Sequence, residues 1–368
     1  MNSFPDFQLL PSLLETLAEK TLTKPTPIQA RAVPALMSGR SIVGVAQTGS
    51  GKTLAYALPI LHVLKTLETG GKGVTQERHP RAAILVPTRE LGEQVAKVFK
   101  SYTHGTRLRV RSVLGGTTTE VAKKNLDGYF EVLIATPGRL IQMLDRKLVN
   151  LNEVKFLVFD EADQMLDDGF LKDAQRISDS CPVKCQLAMF TATFTAEVEK
   201  LVGHLFDDAD IIRVEGGYQL PATLTTRNQA VADGDRRVVL EKLLREKASG
   251  GTMIFSNTRQ QCDKLGALLE EMGHSYVMYR GEMDKVERRK NLQAFRDGKI
   301  PFLLSTDLAS RGLDLENVER VINFHLPQEL ENYVHRVGRT ARAGRKGLVV
   351  NLVTERDQSL MDRVRRLK

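Results

Sequence analysis

Residues 46–53 read Ala-Gln-Thr-Gly-Ser-Gly-Lys-Thr, after the apolar run Ile42–Val45 and before an apolar segment that can start a helix. A strand, a Gly-rich turn and a helix in this order are typical of a phosphate-binding loop. The glycines let successive backbone N–H groups point at one anion, and the N-terminus of the helix adds a partial positive charge. The segment therefore predicts a nucleoside triphosphate site in an α/β domain.

Each side chain of this loop has an expected role. Lys52 would reach the β- and γ-phosphates of the nucleotide, while the Thr53 hydroxyl would bind Mg²⁺. Gly49, Ser50 and Gly51 would supply the backbone around the phosphates. A nucleoside triphosphate and Mg²⁺ are thus the expected cofactors, and the family resemblance described below implies that the nucleotide is ATP.

A second part of the site follows another apolar run. Residues 156–159 read Phe-Leu-Val-Phe and lead directly into Asp160-Glu161-Ala162-Asp163. Carboxylates at the carboxyl end of a parallel strand lie beside the phosphate-binding loop in a doubly wound sheet. We expect Asp160 to bind Mg²⁺ and Glu161 to orient the attacking water. Taken alone, the segment also fits an acidic turn.

The length and pattern of the chain indicate two domains. Its 368 residues alternate short Val/Ile/Leu runs with longer helical patterns, which favours parallel sheets covered by helices. We predict one α/β domain over residues 1–215, a linker at 216–221 and a second α/β domain over 222–368. The strand predictions are 42–46, 82–86, 132–135, 156–160 and 186–191 in the first domain, and 252–256, 302–305, 320–324 and 347–353 in the second.

Composition narrows the class of protein. No apolar run approaches the ~20 residues of a membrane span, and the N-terminus lacks a signal-peptide pattern. Three cysteines (Cys181, Cys185 and Cys262) are too few for a disulfide framework. Residues 1–221 carry 26 basic and 25 acidic side chains, whereas residues 222–368 carry 27 and 20. We therefore expect a cytoplasmic protein without membrane partners, whose second half favours polyanions.

Asp160-Glu161-Ala162-Asp163 resembles the signature of the DEAD-box ATP-dependent RNA helicases. The resemblance extends over residues 4–368, because further motifs of this family occur in order. It implies two RecA-like domains, each a mainly parallel sheet covered by helices. It also implies that ATP hydrolysis is coupled to closure and opening of the domains on single-stranded RNA, which unwinds short duplexes or remodels RNA–protein complexes.

The adenine site is expected from the N-terminal segment. Pro25-Thr26-Pro27-Ile28-Gln29 resembles the adenine-reading motif of the family, and a Gln amide matches one edge of adenine. Phe4 resembles the isolated upstream aromatic residue of the same motif. At Thr21-Leu22 the family usually has Gly and a stacking aromatic residue, so this sequence gives up ring stacking on the base.

Other motifs imply residues that couple or catalyse. Thr191-Ala192-Thr193 resembles the family's coupling motif, whose hydroxyls hydrogen-bond toward Asp163; outside the family it would be an ordinary strand end. Residues 335–345 would otherwise suit a solvated charged helix, but the resemblance makes Arg339 and Arg342 the arginine fingers at the γ-phosphate. It also places His335 near the coupling motif and Asp314 on the ribose.

RNA contacts are likewise implied by resemblance, and their chemistry is suited to phosphates: small residues, hydroxyls and arginines. In the first domain they are Thr88, Arg89, Gly115, Gly116, Thr136 and Arg139, and in the second they are Arg259, Arg280, Gly281 and Thr306. None forms an obvious pattern for reading base edges, so little sequence preference is expected. The preference for RNA over DNA follows from the resemblance.

Two alternatives remain open at this point. The chain could act as an ATP-gated RNA clamp, a scaffold with little unwinding, since a clamp and a helicase share every active-site residue. A DNA translocase is the poorer alternative, because the Asp-Glu-Ala-Asp and Pro-Thr-Pro-Ile-Gln motifs argue against it. A third question is whether this is a minimal protein or part of a longer one; in the second case we expect protein partners to bind through the additional segments.

Overall fold

The computed structural model describes residues 3–47, 49–166, 170–214, 220, 223–231, 235–246, 248–280, 283–307, 315, 317–341 and 345–367. The chain divides into two compact units, Met1–Glu215 and Gly216–Lys368. Of the predicted linker, Leu220 alone is described, and the predicted site residues Gly281, Asp314 and Arg342 lie outside the described residues.

The described part of the first unit contains one sheet of seven parallel strands. In chain order they are β1 (Ile42–Val45), β2 (Ala82–Leu85), β3 (Val110–Val113), β4 (Val132–Ala135), β5 (Phe156–Asp160), β6 (Gln186–Thr191) and β7 (Asp210–Arg213). Their order across the sheet is β3-β4-β2-β5-β6-β1-β7. The register pairs Val45 with Thr191 and Asp160 with Phe190.

Helices cover both faces of this sheet. They are α1 (Pro11–Glu19), α2 (Pro27–Met37), α3 (Lys52–Thr69), α4 (Arg89–Thr106), α5 (Thr119–Asn125), α6 (Pro137–Asp145), α7 (Phe170–Asp179) and α8 (Ala196–Leu205). Successive strand residues point to opposite faces, so Ile84 and Val158 join one apolar layer while Leu85 and Phe159 join the other. Burial on both faces explains why these strands are continuously apolar.

The second unit repeats the plan with six parallel strands among its described residues. They are β8 (Leu224–Ala230), β9 (Gly251–Phe255), β10 (Tyr276–Tyr279), β11 (Phe302–Ser305), β12 (Val318–Asn323) and β13 (Gly347–Val353), in the order β10-β11-β9-β12-β13-β8. The helices are α9 (Arg236–Arg245), α10 (Arg259–Glu271), α11 (Lys285–Arg296), α12 (Leu330–Val337) and α13 (Gln358–Arg365). Each unit therefore has a sheet between two layers of helices, as predicted.

All nine predicted strands are confirmed, with ends that differ by no more than two residues. The four strands that were not predicted, β3, β7, β8 and β10, are the edge strands of the two sheets. Three of these edge strands carry polar residues, as in Asp210–Arg213, and so lack the apolar run on which the predictions relied. Strand β10 reads Tyr-Val-Met-Tyr, so this explanation does not apply to it. Within the described residues, no helix combines the length and apolar character needed to cross a membrane.

Helix α1 ends in a Schellman motif with an unfavourable residue. The Thr21 N–H donates to Ala18 and the Leu22 N–H donates to Leu17, both over 2.9 Å. This motif needs a left-handed residue at the position of Thr21, whose φ is 57°. A β-branched side chain is strained there, whereas glycine is not.

We predict that Thr21→Gly raises the free energy of unfolding of the first unit by about 1 kcal/mol, because it removes the left-handed strain. For a unit of this size, calorimetry of the full chain should show a melting transition higher by roughly 2–4 °C. Lys20→Gly is the matched control, since Lys20 has a φ of −84° and should lose stability instead. An unchanged or lower melting temperature for Thr21→Gly would contradict the account.

Candidate functional site

The predicted phosphate-binding loop follows β1 at the carboxyl edge of the first sheet. Gly49 and Gly51 have φ values of 83° and 88°, in the left-handed region. A Cβ atom at Gly51 would lie 2.3 Å from Gln29 Nε2. Glycine is therefore required at position 51 for two independent reasons, conformation and space.

Lys52 begins α3 and is buried, with 6% of its surface exposed. Its Nζ atom donates to the Ala46 carbonyl oxygen over 2.7 Å, so the side chain folds back over the loop. An ammonium group has three donors. Lys52 can thus keep or exchange this contact when a phosphate oxygen is present.

Asp160 ends β5 and is 2% exposed. Its Oδ2 atom accepts a hydrogen bond of 2.7 Å from the Tyr56 hydroxyl of α3. Burial raises the pKa of the Asp160 carboxyl, while the Lys52 charge and the Tyr56 hydrogen bond act in the opposite direction. Burial, followed by the Asp160 charge, raises the pKa of Tyr56 well above its usual value, so Tyr56 keeps its proton as the donor.

Glu161 is held in an uncommon backbone conformation. Its φ of 55° and ψ of 50° are left-handed, which costs a non-glycine residue about 1–3 kcal/mol. The side chain is buried, and Gln164 Nε2 donates to its carboxylate. The strained backbone therefore belongs to the residue whose carboxylate was predicted to orient water.

The predicted coupling residues contact one another. Thr193 donates through Oγ1 to Asp163 Oδ2 over 3.0 Å, and the Thr191 hydroxyl donates to the Thr193 carbonyl oxygen over 2.7 Å. Asp163 Oδ1 is buried and has no hydrogen-bond partner among the described residues. The segment at the end of β6 is thus hydrogen-bonded to the turn that follows β5.

The predicted adenine residues also stabilise the phosphate loop. Gln29 accepts from the Thr26 N–H over 2.9 Å and donates to the Gly51 carbonyl oxygen over 3.1 Å. Its amide retains a second lone pair and a second hydrogen, which a base can still use. Phe4 is buried against Phe7, with ring centroids 6.0 Å apart, and Leu22 is 37% exposed. The roles of Phe4 and Leu22 at the base remain predictions.

The predicted RNA contacts of the first unit follow β2, β4 and β3. Thr88 caps α4 by accepting from the Leu91 N–H, and Arg89 pairs with Glu93. The Thr136 hydroxyl accepts from the Gly115 N–H over 3.1 Å. In addition, Gly116 has a φ of 86°, and Arg139 donates to the carbonyl oxygens of Thr117 and Thr118.

One edge of the first sheet therefore carries two adjacent groups of predicted residues. Those for the phosphates and Mg²⁺ follow β1 and β5, with the predicted coupling residues at the end of β6 between them, and those for RNA follow the neighbouring strands β3, β4 and β2. The carboxyl ends of parallel strands share one edge, where such folds bind their ligands. The sheet order itself brings the two groups side by side.

In the second unit, the described RNA candidates follow β9, β10 and β11, again neighbouring strands. Arg259 begins α10, Arg280 pairs with Asp263, and Thr306 directly follows β11. On the opposite edge, Arg339 lines a cavity of about 580 Å³ at the amino ends of β9, β11 and β12. Arg339 is buried and donates to the carbonyl oxygen of His335.

Arg336 is a functional candidate that the sequence analysis did not single out. Its side chain is fully buried, and its guanidinium stacks 5.1 Å from the Phe255 ring. It joins the ends of β9, β11 and β12 to α12 by donating to Asn257, Asp307, Asn323 and the His325 carbonyl oxygen. The spacing Tyr333, Arg336, Val337 was the available signal, because it places Arg336 on the apolar face of α12.

Comparison with known proteins is consistent with this geometry. The DEAD/DEAH box helicase model matches residues 26–201, and the helicase conserved C-terminal domain matches residues 235–344. The DEAD-box ATP-dependent RNA helicase RhpA of Helicobacter pylori is 36% identical over 357 residues, which are 96% of this chain and 70% of RhpA. This chain belongs to the DEAD-box family of ATP-dependent RNA helicases. The ATP-dependent RNA helicase DBP2 of Saccharomyces cerevisiae is 37% identical, over 97% of this DEAD-box chain and 64% of DBP2.

The fold of this DEAD-box protein also matches a solved structure. S. cerevisiae Dbp5 bound to RNA and ADP BeF3 has a TM-score of 0.81 and 27% identity, with 100% of this chain and 93% of that chain covered. The two units are therefore RecA-like domains of a DEAD-box helicase.

We predict that Arg336→Met destabilises the second unit by about 3 kcal/mol or more, because it leaves Asp307 without its buried charge partner. Chemical unfolding of the full chain measures the change. Arg363→Met is the matched control, since its ion pair with Glu329 is 4.0 Å long and half-exposed and should contribute little. Equal effects of the two substitutions would show that the buried network does not stabilise the unit.

Proposed function

We propose that this DEAD-box protein hydrolyses ATP on single-stranded RNA and uses the cycle to open short RNA duplexes or remodel RNA–protein complexes. The observation that carries the proposal is the shared edge of the first sheet. Residues suited to ATP and to coupling follow three neighbouring strands there, and residues suited to an RNA backbone follow the next three. One ligand can then influence the other through the strand ends and the turns after them.

The ATP site fits Mg²⁺ as a cofactor. Thr53 and Asp160 would hold the ion, and no cluster of three His, Cys, Asp or Glu side chains suited to a metal occurs in the described ranges. This donor set is typical of Mg²⁺, which usually takes one or two protein groups together with phosphate oxygens. When bound, Mg²⁺ neutralises charge on the β- and γ-phosphates.

The remaining groups supply positioning and charge. In the proposed reaction, Glu161 orients the water, Lys52 neutralises the phosphates, and Arg339 and Arg342 approach the γ-phosphate as arginine fingers. As part of the same proposal, His335 would contact the coupling motif. The hydrogen bond between Thr193 and Asp163 supports a link from the nucleotide to the end of β6.

Coupling between the ligands follows from differential binding. We propose that ATP and RNA each bind better to the closed arrangement of the two units, so each raises the affinity of the other. Hydrolysis and phosphate release then reopen the arrangement and free the RNA. Contacts of the predicted kind go to phosphate and sugar, which supports a weak preference for base sequence. A cytoplasmic location stays a prediction from the sequence.

We predict that Glu161→Gln binds ATP and RNA but hydrolyses ATP about 10²–10⁴-fold more slowly, because the water loses its proton acceptor. Single-turnover phosphate release measures the rate, and filter binding of a labelled single-stranded RNA measures how long the complex persists. In the presence of ATP, the complex of Glu161→Gln with RNA should persist longer than that of the unaltered chain.

The matched control is Glu199→Gln, an exposed residue of α8, which should hydrolyse ATP and release RNA like the unaltered chain. Normal hydrolysis by Glu161→Gln would rule out the proposed role. Strand separation of a short RNA duplex by the unaltered chain distinguishes a helicase from a clamp, since a clamp would retain RNA without separating the duplex.

A further inference from the structure

The hydroxyl of Tyr56 contacts Asp160, one of the two residues that would hold Mg²⁺. Tyr56 follows Thr53 by three positions in α3, so both side chains are on one face of the helix. The Tyr56 hydroxyl donates to Asp160 Oδ2 over 2.7 Å. A residue of the helix that begins with Lys52 and Thr53 is therefore bonded directly to the carboxylate that ends β5.

Packing fixes the position of this hydroxyl. The Tyr56 ring is completely buried, 5.2 Å from the Phe190 ring and 6.1 Å from the Phe99 ring by centroids. Phe190 is paired with Asp160 across β5 and β6. The ring thus packs on β6, the strand next to the one that ends in Asp160, and it cannot shift without disturbing the core.

The hydrogen bond from Tyr56 suits a carboxylate that would bind a cation. A buried carboxylate needs donors for its oxygens, and here Tyr56 and the Glu161 backbone supply hydrogen bonds. Lys52 contributes charge at a distance, since its Nζ atom bonds to the Ala46 carbonyl oxygen. The hydroxyl fixes the direction of the carboxylate in a way that a distant charge does not.

We propose that Tyr56 is a positioning residue for magnesium. It holds the Asp160 carboxylate in a preformed direction relative to α3, the helix that also carries Thr53, so that the two oxygens that would hold the ion are already placed. Mg²⁺ tolerates little deviation from octahedral geometry. Mutating the groups that orient metal ligands typically lowers metal affinity by 10–100-fold. The inference rests on the proposed function, because it takes Thr53 and Asp160 as the magnesium residues.

Tyr56→Phe in the full chain tests this proposal, because it keeps the ring and its packing and removes one oxygen. The experiment titrates Mg²⁺ into the protein with a fluorescent ADP, and separately measures ADP affinity in EDTA. We expect the Mg²⁺ midpoint to rise by about 10-fold or more, with the metal-free ADP affinity unchanged.

Tyr102→Phe is the matched control. Tyr102 is a buried tyrosine of the same unit, and its hydroxyl has no hydrogen-bond partner among the described residues. This variant should titrate with Mg²⁺ like the unaltered chain. An effect in Tyr56→Phe but not in Tyr102→Phe therefore reports the contact with Asp160.

Two results overturn the proposal while leaving the proposed function intact. One is a Mg²⁺ midpoint for Tyr56→Phe equal to that of the unaltered chain, and the other is an equal loss of ADP affinity with and without Mg²⁺. If the unaltered chain binds ADP without any response to Mg²⁺, the proposal fails together with the magnesium assignment to Thr53 and Asp160.

Discussion

Lys52, Asp160 and Glu161 are all buried at one edge of the first sheet, and burying charge is among the most costly steps in folding. The surrounding structure offsets that cost locally. Lys52 and Asp160 interact electrostatically, Tyr56 donates to Asp160, and Gln164 donates to Glu161. Such an arrangement suits a ligand that brings both negative phosphates and a cation, because folding has already removed water from the groups that we propose bind them.

The order of strands connects this site to nucleic acid. Strand β5 lies between β2 and β6 in the sheet, so the residues predicted to bind the nucleotide and those predicted to bind the RNA backbone follow the adjacent strands β5 and β2. The second unit has the same plan, with its described RNA candidates after β10, β11 and β9. Its buried Arg336 ties the ends of β9 and β11 to α12, the helix that leads into Arg339. In the first unit, the bond between Thr193 and Asp163 links the end of β6 to the turn after β5. In the second unit, the bond between Arg336 and Asp307 links α12 to the segment after β11.

The central strands and the phosphate loop were predictable from sequence, because strands buried on both faces are continuously apolar and Gly-Lys-Thr follows one of them. Edge strands such as Asp210–Arg213 were not, since partial exposure allows polar residues and removes that signal. Tyr56 and Arg336 were missed for a related reason. Each has the spacing of a core residue on its helix, and only the three-dimensional neighbours, Asp160 and Asp307, show that its polar end has a partner.

The central claim is that nucleotide turnover depends on RNA through the shared edge of the sheet. The most direct measurement is the steady-state rate of ATP hydrolysis by the full chain alone, with a single-stranded RNA, and with DNA of the same sequence. The account predicts strong stimulation by RNA and little by DNA. Equal rates under all three conditions would contradict it.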